Sequence, residues 1–305
     1  MAPRDGGRPG TGALLHARGI RRSVDLFRAF RVEQTDPDRF YRIQAADAVA
    51  QLRRYAPLEG RLVLDIGGGA GYFTEAFTAA GARCVLVEPE AHRAASPAGH
   101  GDGAAHDGAA HDDDAHDDDD DDRAEGADPD AARRRRHRRA VRPGRLAPGR
   151  TVAADGHRLP VPDGTSDVTF SSNVLEHVPA AAPFLAEMVR VTRPGGTIYV
   201  SFTAWYSFWG GHETAPWHYL GGHRAARRYE RRTGRPPGNR FGSSLFACHV
   251  GPTLRLARAL PGVDVVDALP RYYPDWLRWV VEVPGVRELA TWNLLLVLRR
   301  HRGAP

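Results

Sequence analysis

The chain contains no lysine, so all 42 of its lysine-or-arginine residues are arginines. This absence excludes every mechanism that needs a lysine side chain, such as a Walker A phosphate site, a Schiff base or a pyridoxal phosphate anchor. Cysteine is also scarce. The two cysteines, Cys84 and Cys248, exclude a disulfide framework and a cysteine-rich zinc site.

Long apolar segments are absent as well. No run approaches the roughly 18 consecutive apolar residues of a membrane-spanning helix. Residues 1–22 scatter arginine, glycine and proline where a signal peptide has an apolar core. The sequence therefore predicts a cytoplasmic protein without stable membrane insertion.

The composition is that of a protein with a buried core, because 42% of the 305 residues are apolar and 26% are charged. The net charge is +5 overall, but outside residues 91–150 there are 31 arginines against 23 acidic residues, and this surplus is dispersed without a sustained basic stripe. We therefore expect no nucleic-acid partner. The oligomeric state stays open.

Residues from about 91 to 150 differ in composition from the rest of the chain. They contain His/Asp repeats, six consecutive aspartates from Asp117 to Asp122, and a following group of arginines. Such a segment has almost nothing apolar to bury, so burial cannot offset an ordering entropy of about 1 to 2 kcal/mol per residue. The composition predicts a disordered insertion. A metal-binding His/Asp tract and a polybasic nucleic-acid arm are the alternatives.

Outside this segment, short apolar runs alternate with helical periodicity. The runs that predict strands lie at 61–66, 84–88, 151–154, 167–172 and 197–202, with two later runs at 263–269 and 292–298. Asp36 followed by Pro37 predicts the start of a helix that extends to about Tyr55. The alternation indicates an α/β domain with a mainly parallel sheet.

A glycine-rich turn, Asp65-Ile-Gly67-Gly-Gly69-Ala-Gly71, follows the first predicted strand and precedes a helix. Glycines allow the tight turn and let a ligand lie against bare main chain. The dinucleotide fingerprint G-x-G-x-x-G requires glycine where this chain has Tyr72. Glu88 ends the second predicted strand, where an acidic side chain meets ribose hydroxyls in this kind of fold.

Taken together, these motifs resemble those of class I S-adenosylmethionine (SAM)-dependent methyltransferases. The resemblance extends to Ala154-Asp155-Gly156, to Leu159–Asp163, to the segment Asp167–Val178 and to the turn Arg193–Gly196. The chain is most similar to methyltransferase type 11-like members from actinobacteria, which are uncharacterised and share a segment like Gly210–Gly222. The long insertion after Glu88 departs from the family pattern.

The resemblance implies a Rossmann-like, seven-stranded, mainly parallel sheet with helices on both faces. It implies an N-terminal tail and helical cap at 1–57 and a methyltransferase domain at 58–305 that the 91–150 insertion interrupts. The implied cofactor is SAM. By resemblance, the residues that bind its methionine, ribose and adenine portions are Asp65, Gly67, Gly69, Gly71, Glu88, Asp155 and Asn173.

Histidines near the predicted acceptor side are the candidates for a general base, because an imidazole accepts a proton near neutrality. They are His177 after the fourth strand, and His212 and His218 after the fifth. Each has a structural alternative, in which the histidine orders its own loop. Six aromatic residues between 205 and 219 predict a wall for a small, partly apolar acceptor that is methylated at oxygen.

The sequence leaves two other functions open. The protein could be a non-catalytic SAM-binding regulatory protein, or a nicotinamide-dependent oxidoreductase, which Tyr72 disfavours. A metal bound by His212, Glu213 and His218 is disfavoured because the spacing is not H-E-x-x-H. We therefore expect no metal. The cluster at 271–279, which contains Arg271, Tyr272, Trp276 and Trp279, has a membrane-surface interpretation and a packed-helix interpretation.

We predict that deleting residues 98–142 leaves the melting temperature and the SAM affinity nearly unchanged. The segment offers no apolar face, and changing the length of a long loop costs little free energy. Thermal unfolding and calorimetric titration of the deletion variant measure both quantities. A large fall in melting temperature would instead show that the segment packs against the domain.

Overall fold

The computed structural model describes residues 19–32, 35–88, 151–152, 154 and 156–303. The predicted insertion, most of the predicted N-terminal tail, and Asp155 lie outside these residues. The expectations for them stay predictions.

One sheet of seven strands has the order β3-β2-β1-β4-β5-β7-β6. Strands β1 to β5 are parallel to one another, and β7 is antiparallel to both β5 and β6. The predicted Rossmann-like, mainly parallel sheet is confirmed. The strands are β1 (Leu62–Ile66), β2 (Arg83–Val87), β3 (Thr151–Val152), β4 (Ser166–Ser172), β5 (Thr192–Thr203), β6 (Val263–Pro270) and β7 (Asn293–Arg300).

Helices cover both faces of the sheet, as predicted. The helices α2 and α3 pack with residues of β1, β4 and β7 in one apolar cluster. The helices α4 and α6 pack in a second cluster on the other face. The helices are α1 (Ile20–Val32), α2 (Pro37–Leu52), α3 (Tyr72–Ala79), α4 (Ala181–Val191), α5 (Gly222–Thr233), α6 (Val250–Ala259) and α7 (Val286–Ala290).

The helix predicted from Asp36 and Pro37 is α2. The Asp36 carboxylate accepts a hydrogen bond from the Arg39 amide at 3.1 Å, which satisfies a free N–H of the first turn. Regular helical structure ends at Leu52, before the expected end at Tyr55, because the chain turns at 53–55. Together with α1, this helix forms the N-terminal cap.

The segment Arg193–Gly196 differs from the predicted turn. Strand β5 already begins at Thr192, and its register with β4 changes from Ser166 opposite Thr192 to Val168 opposite Thr197. Gly195 has φ +72°, which favours glycine. The four residues therefore form an irregular bulge within β5.

The C-terminal cluster at 271–279 is divided between the interior and the surface. Arg271 and Tyr272 are buried, whereas Trp276 and Trp279 are exposed. The membrane-surface interpretation is therefore wrong for Arg271 and Tyr272. Within the described ranges, no helix combines the length and the apolar composition required to cross a membrane.

The Asp167 carboxylate joins three strands at the amino edge of the sheet. It accepts hydrogen bonds from the Leu62 amide at 2.9 Å, from Arg193 Nε at 2.6 Å and from Arg61 Nη1 at 3.2 Å. Partial burial alone would raise the pKa of Asp167, but these hydrogen bonds and the two guanidinium charges outweigh it and lower the pKa.

We predict that Asp167→Asn lowers the free energy of unfolding by about 1 to 3 kcal/mol at neutral pH, because charge-assisted hydrogen bonds are lost. A lowered pKa in the folded state stabilises the fold fully above the ordinary carboxyl pKa. This contribution therefore begins to decline below about pH 4 and is lost as the pH falls through the lowered pKa of the folded state. Urea unfolding between pH 3 and 7 measures it.

The matched control is Asp264→Asn. The side chain of Asp264 is 77% exposed and contacts only the ring of His301 among the described ion pairs. We expect a change below about 0.5 kcal/mol. Equal effects of the two substitutions, or an Asp167→Asn effect that does not diminish as the pH falls from 7 towards 3, would contradict the role given to Asp167.

Candidate functional site

The turn at 67–71 carries the chain from β1 into α3. Gly67, Gly69 and Gly71 have φ values of +73°, +54° and +80°, in the left-handed region that favours glycine. A Cβ atom on Gly68 would lie 2.4 Å from Asp65 Oδ2, so the main chain passes directly over that carboxylate. All four positions therefore require glycine, three for their backbone conformation and one for space.

Two carboxylates flank this turn. The Gly69 amide donates to Glu88 Oε2 at 2.9 Å, which connects the turn to the end of β2. Asp65 is 1% exposed, and its Oδ2 accepts a hydrogen bond from Thr74 Oγ1 at 2.7 Å. Among the described residues, Asp65 Oδ1 has no hydrogen-bond partner. Burial raises the pKa of Asp65 to about 7.

These groups fit SAM. A Cβ atom on Gly69 would have no neighbour within 4 Å among the described residues, so bare main chain is exposed there. The free oxygen of Asp65 is an acceptor for an ammonium group, and the Glu88 carboxylate is an acceptor for paired hydroxyls. SAM carries both kinds of donor, in its methionine and ribose portions.

The loop after β4 closes against the glycine turn. A Cβ atom on Gly67 would lie 2.5 Å from Val174 Cγ2, so the two loops are in direct contact. Asn173 has φ +57°, an uncommon value for a residue with a side chain. Its Oδ1 accepts a hydrogen bond from Asn293 Nδ2 at 2.7 Å, which fixes the loop to β7.

Glu176, His177 and His212 come together at the same edge, and their side-chain ligand atoms lie within 4.8 Å of one another. His177 Nδ1 donates to the Ser244 carbonyl at 2.7 Å, because a carbonyl can only accept. This leaves its Nε2 as an acceptor. Glu176 Oε1 accepts the Thr203 amide at 3.1 Å, whereas Oε2 has no partner in the described part of the chain.

His212 lies in a short helical turn and has φ +49°. Its Nδ1 is buried without a partner among residues that the structure describes. Burial lowers the pKa of His212, and this effect outweighs the charge of Glu176, which raises it. The imidazole is therefore neutral at neutral pH and able to accept a proton.

His218 and Glu213 face elsewhere. The His218 side chain is fully buried, and its Nε2 donates to the Ser207 carbonyl at 3.2 Å within its own loop. The Glu213 carboxylate accepts hydrogen bonds from Asn239 Nδ2 at 3.0 and 3.2 Å. The metal site considered for His212, Glu213 and His218 is therefore not formed, and the structure brings His212 to Glu176 and His177 instead.

A chain of aromatic rings covers the carboxyl edge of the sheet. The ring of Tyr72 stacks on that of Tyr41 in the N-terminal cap, with 5.3 Å between the ring centres. The ring of Phe30 stacks on that of Trp209, from the loop after β5, also with 5.3 Å between centres. The ring of Trp209 also contacts the ring of Trp292, with 5.3 Å between their centres. The helices α1 and α2 and the loop after β5 thus form a common apolar wall beside the three clustered side chains.

The role of Arg271, which is fully buried at the end of β6, is not evident from the sequence. Its Nη1 donates to Ser172 Oγ at 2.7 Å and to Ser201 Oγ at 2.8 Å. The available signal was the presence of serines in otherwise apolar strands, which indicates a buried polar partner. Nothing in the sequence identifies that partner as Arg271.

The comparisons with known proteins identify the family of the chain. A family model described as a methyltransferase domain matches residues 99–200. An uncharacterized methyltransferase of Mycolicibacterium gilvum is 43% identical over 293 residues, covering 94% of this chain and 97% of the relative. One from Mycobacteroides abscessus is 40% identical over 287 residues, covering 92% and 94%.

The chain belongs to the class I SAM-dependent methyltransferases. It is a methyltransferase enzyme, and its methyl donor is SAM. Among solved structures, a SAM-dependent methyltransferase from Mesorhizobium loti is 17% identical, covers 84% of this chain and 98% of its own, and has a TM-score of 0.46. One from Aquifex aeolicus is 12% identical, covers 90% and 98%, and has a TM-score of 0.42.

We predict that Gly69→Ala weakens SAM binding at least about tenfold, because a methyl group would enter the space where the cofactor meets bare main chain. The matched control is Gly60→Ala. Gly60 has φ +68°, and a Cβ atom placed on it would also have nothing within 4 Å, but it lies before β1. Each variant bears a conformational cost of about 1 to 2 kcal/mol.

Calorimetric titration with SAM and thermal unfolding separate the two effects. Both variants should lose similar melting temperature, and only Gly69→Ala should lose affinity. Unchanged SAM affinity in folded Gly69→Ala protein would refute the assignment of this turn.

Proposed function

We propose that this methyltransferase transfers the methyl group of SAM to an oxygen atom of a small, partly apolar acceptor. The observation that carries the proposal is the group formed by Glu176, His177 and His212 beside the aromatic wall. An alcohol or phenol must lose its proton during transfer, whereas a neutral amine attacks with a free lone pair. A buried base at the acceptor side therefore favours oxygen.

We assign the cofactor to the edge formed by the glycine turn and β2. Gly67, Gly69 and Gly71 would hold the methionine and ribose portions, with Asp65 at the ammonium group and Glu88 at the ribose hydroxyls. Asn173 would form main-chain contacts beside the sulfonium, and Asp155 keeps its predicted place at the adenine. When bound, SAM supplies a methyl group that its positive sulfur has already activated.

His212 is the base in this proposal. Its lowered pKa keeps the imidazole neutral before the reaction, and the nearby carboxylate of Glu176 stabilises the imidazolium that forms when the acceptor proton arrives. His177, fixed by its bond to Ser244, positions the acceptor oxygen through Nε2. His218 packs inside the loop after β5, because its ring lies directly against Gly211.

The aromatic wall defines the rest of the acceptor site. The rings of Phe30, Trp209 and Tyr272 form a contiguous set, with Phe30 centred 5.3 Å from Trp209 and 4.8 Å from Tyr272. Such a surface excludes water and aligns a flat or apolar molecule, which is the main requirement of an in-line methyl transfer. It favours a small molecule over a nucleic acid as the acceptor.

The proposal is tested by release of S-adenosylhomocysteine from protein incubated with matched acceptors. The panel contains phenols, aliphatic alcohols and the corresponding amines and thiols on one set of aryl and alkyl frames. We expect turnover with hydroxyl compounds and a preference for apolar frames. Turnover confined to the amine members, or to nucleic acid, would refute methylation at oxygen of a small acceptor.

We predict that His212→Asn lowers turnover by about a hundredfold or more while the SAM dissociation constant stays within about twofold. Because burial lowers the pKa of His212, the acid limb of the wild-type pH profile should lie below 6.5. That limb should vanish in the variant.

The control is His301→Asn, an exposed histidine near Asp264 at the opposite edge of the sheet. It should leave both turnover and the pH profile unchanged. If His212→Asn abolishes SAM binding together with turnover, the loop belongs to the cofactor site and the assignment of His212 as the base is wrong.

A further inference from the structure

The helix α5 presents an unusually cationic face. Its buried side consists of Gly222, Ala225 and Ala226, at the spacing of one helical stripe. The rest of its surface is exposed and carries five arginines against one acid, Glu230. The arginines are Arg224, Arg227, Arg228, Arg231 and Arg232. The sequence-based expectation that the arginine surplus is dispersed is therefore wrong for this helix.

The acidic side chains of the described residues do not neutralise these arginines. None of the five forms an ion pair with a residue in the described part of the chain. Like charges at helical spacings of three and four residues repel one another. A face of this kind is favoured where it meets an anionic partner.

Apolar side chains adjoin the arginines. The turn Trp217–Leu220 leads directly into α5, and Leu220 is 64% exposed. Phe208, in the same loop region, is 62% exposed. The guanidinium of Arg228 lies 3.8 Å from the centre of the Trp217 ring, so aromatic and cationic groups share one face. We call this the arginine–aromatic face: α5 together with Trp217–Leu220.

A combination of arginines and exposed aromatic and aliphatic side chains matches the interface of a bilayer. Arginines attract anionic headgroups, and tryptophan, tyrosine and leucine enter the boundary with the acyl chains. A nucleic acid would account for the arginines through its phosphates but gives no partner to Leu220. The exposed apolar residues therefore favour a lipid surface.

We propose that the arginine–aromatic face docks reversibly on an anionic bilayer. The turn that belongs to this face is connected to the acceptor loop, because Tyr219 Oη donates to the Tyr206 carbonyl at 3.4 Å. Docking would place the apolar wall next to the membrane, which suits an acceptor that partitions into lipid. This last step rests on the proposed function, whereas docking itself requires neither SAM nor acceptor.

The experiment is flotation of the full chain with vesicles of phosphatidylcholine alone and of phosphatidylcholine with about 30% phosphatidylglycerol, a composition of about physiological surface potential. We expect binding to the anionic vesicles that weakens as salt rises, and little binding to the neutral ones. The variant Arg227→Glu with Arg231→Glu should reduce the partition coefficient at least about tenfold.

The matched control is Arg255→Glu with Arg258→Glu, which changes the net charge equally on the exposed side of α6. It should retain most of the binding. Leu220→Ser should weaken binding at high salt as well, because it removes an apolar rather than an electrostatic contribution. Far-ultraviolet circular dichroism verifies that each variant is folded.

If the α5 and α6 variants lose vesicle binding equally, net charge alone accounts for the binding and the proposal is overturned. Failure to bind anionic vesicles at low salt, or binding to a short duplex DNA with no binding to vesicles, would overturn it too. None of these outcomes changes S-adenosylhomocysteine release with a water-soluble acceptor, so failure of docking is distinguishable from failure of the proposed function.

Discussion

The buried guanidinium of Arg271 connects the strands at the carboxyl edge of the sheet to the N-terminal cap. Its hydrogen bonds to Ser172 and Ser201 join the ends of β4, β5 and β6. Arg22 of α1 pairs with Asp47 of α2 and also donates to the Arg271 carbonyl at 2.7 Å, which fixes both helices at the same point. A buried charge is tolerated only where such bonds hold it. Arg271 therefore links the cap to the ends of β4, β5 and β6 through direct hydrogen bonds.

Parallel strands place the chemistry at this edge. The glycine turn and Glu88 follow β1 and β2, whereas Glu176, His177 and His212 follow β4 and β5. The two sets are in direct contact where Val174 meets Gly67. Asn173 and His212 both hold left-handed backbone conformations there, which cost free energy for residues with a side chain. Such conformations persist because the surrounding bonds fix them.

The glycine turn and the two acids that flank it were predictable because their signals are local. A strand, a glycine turn, a helix and an acid follow one another within 24 residues from Asp65 to Glu88, so spacing alone indicates their arrangement. The acceptor side depends on contacts between distant residues. His212 and His218 look alike in sequence, but only the fold turns one towards Glu176 and the other towards the Ser207 carbonyl. The bulge at Arg193–Gly196 was missed for the same reason, since its partner is Asp167 on another strand.

The chain has arginine and no lysine, and this composition affects the charge of the buried side chain of Arg271. Desolvation removes the proton from a buried lysine readily, whereas a guanidinium stays charged. Burial lowers the pKa of Arg271, but the nearby Tyr199, Tyr272 and Asp47 outweigh this effect and raise it. The guanidinium of Arg271 therefore keeps its positive charge over the pH range in which an imidazole titrates. At the same edge, burial raises the pKa of Asp65 to about 7, so its carboxyl group changes charge near neutral pH.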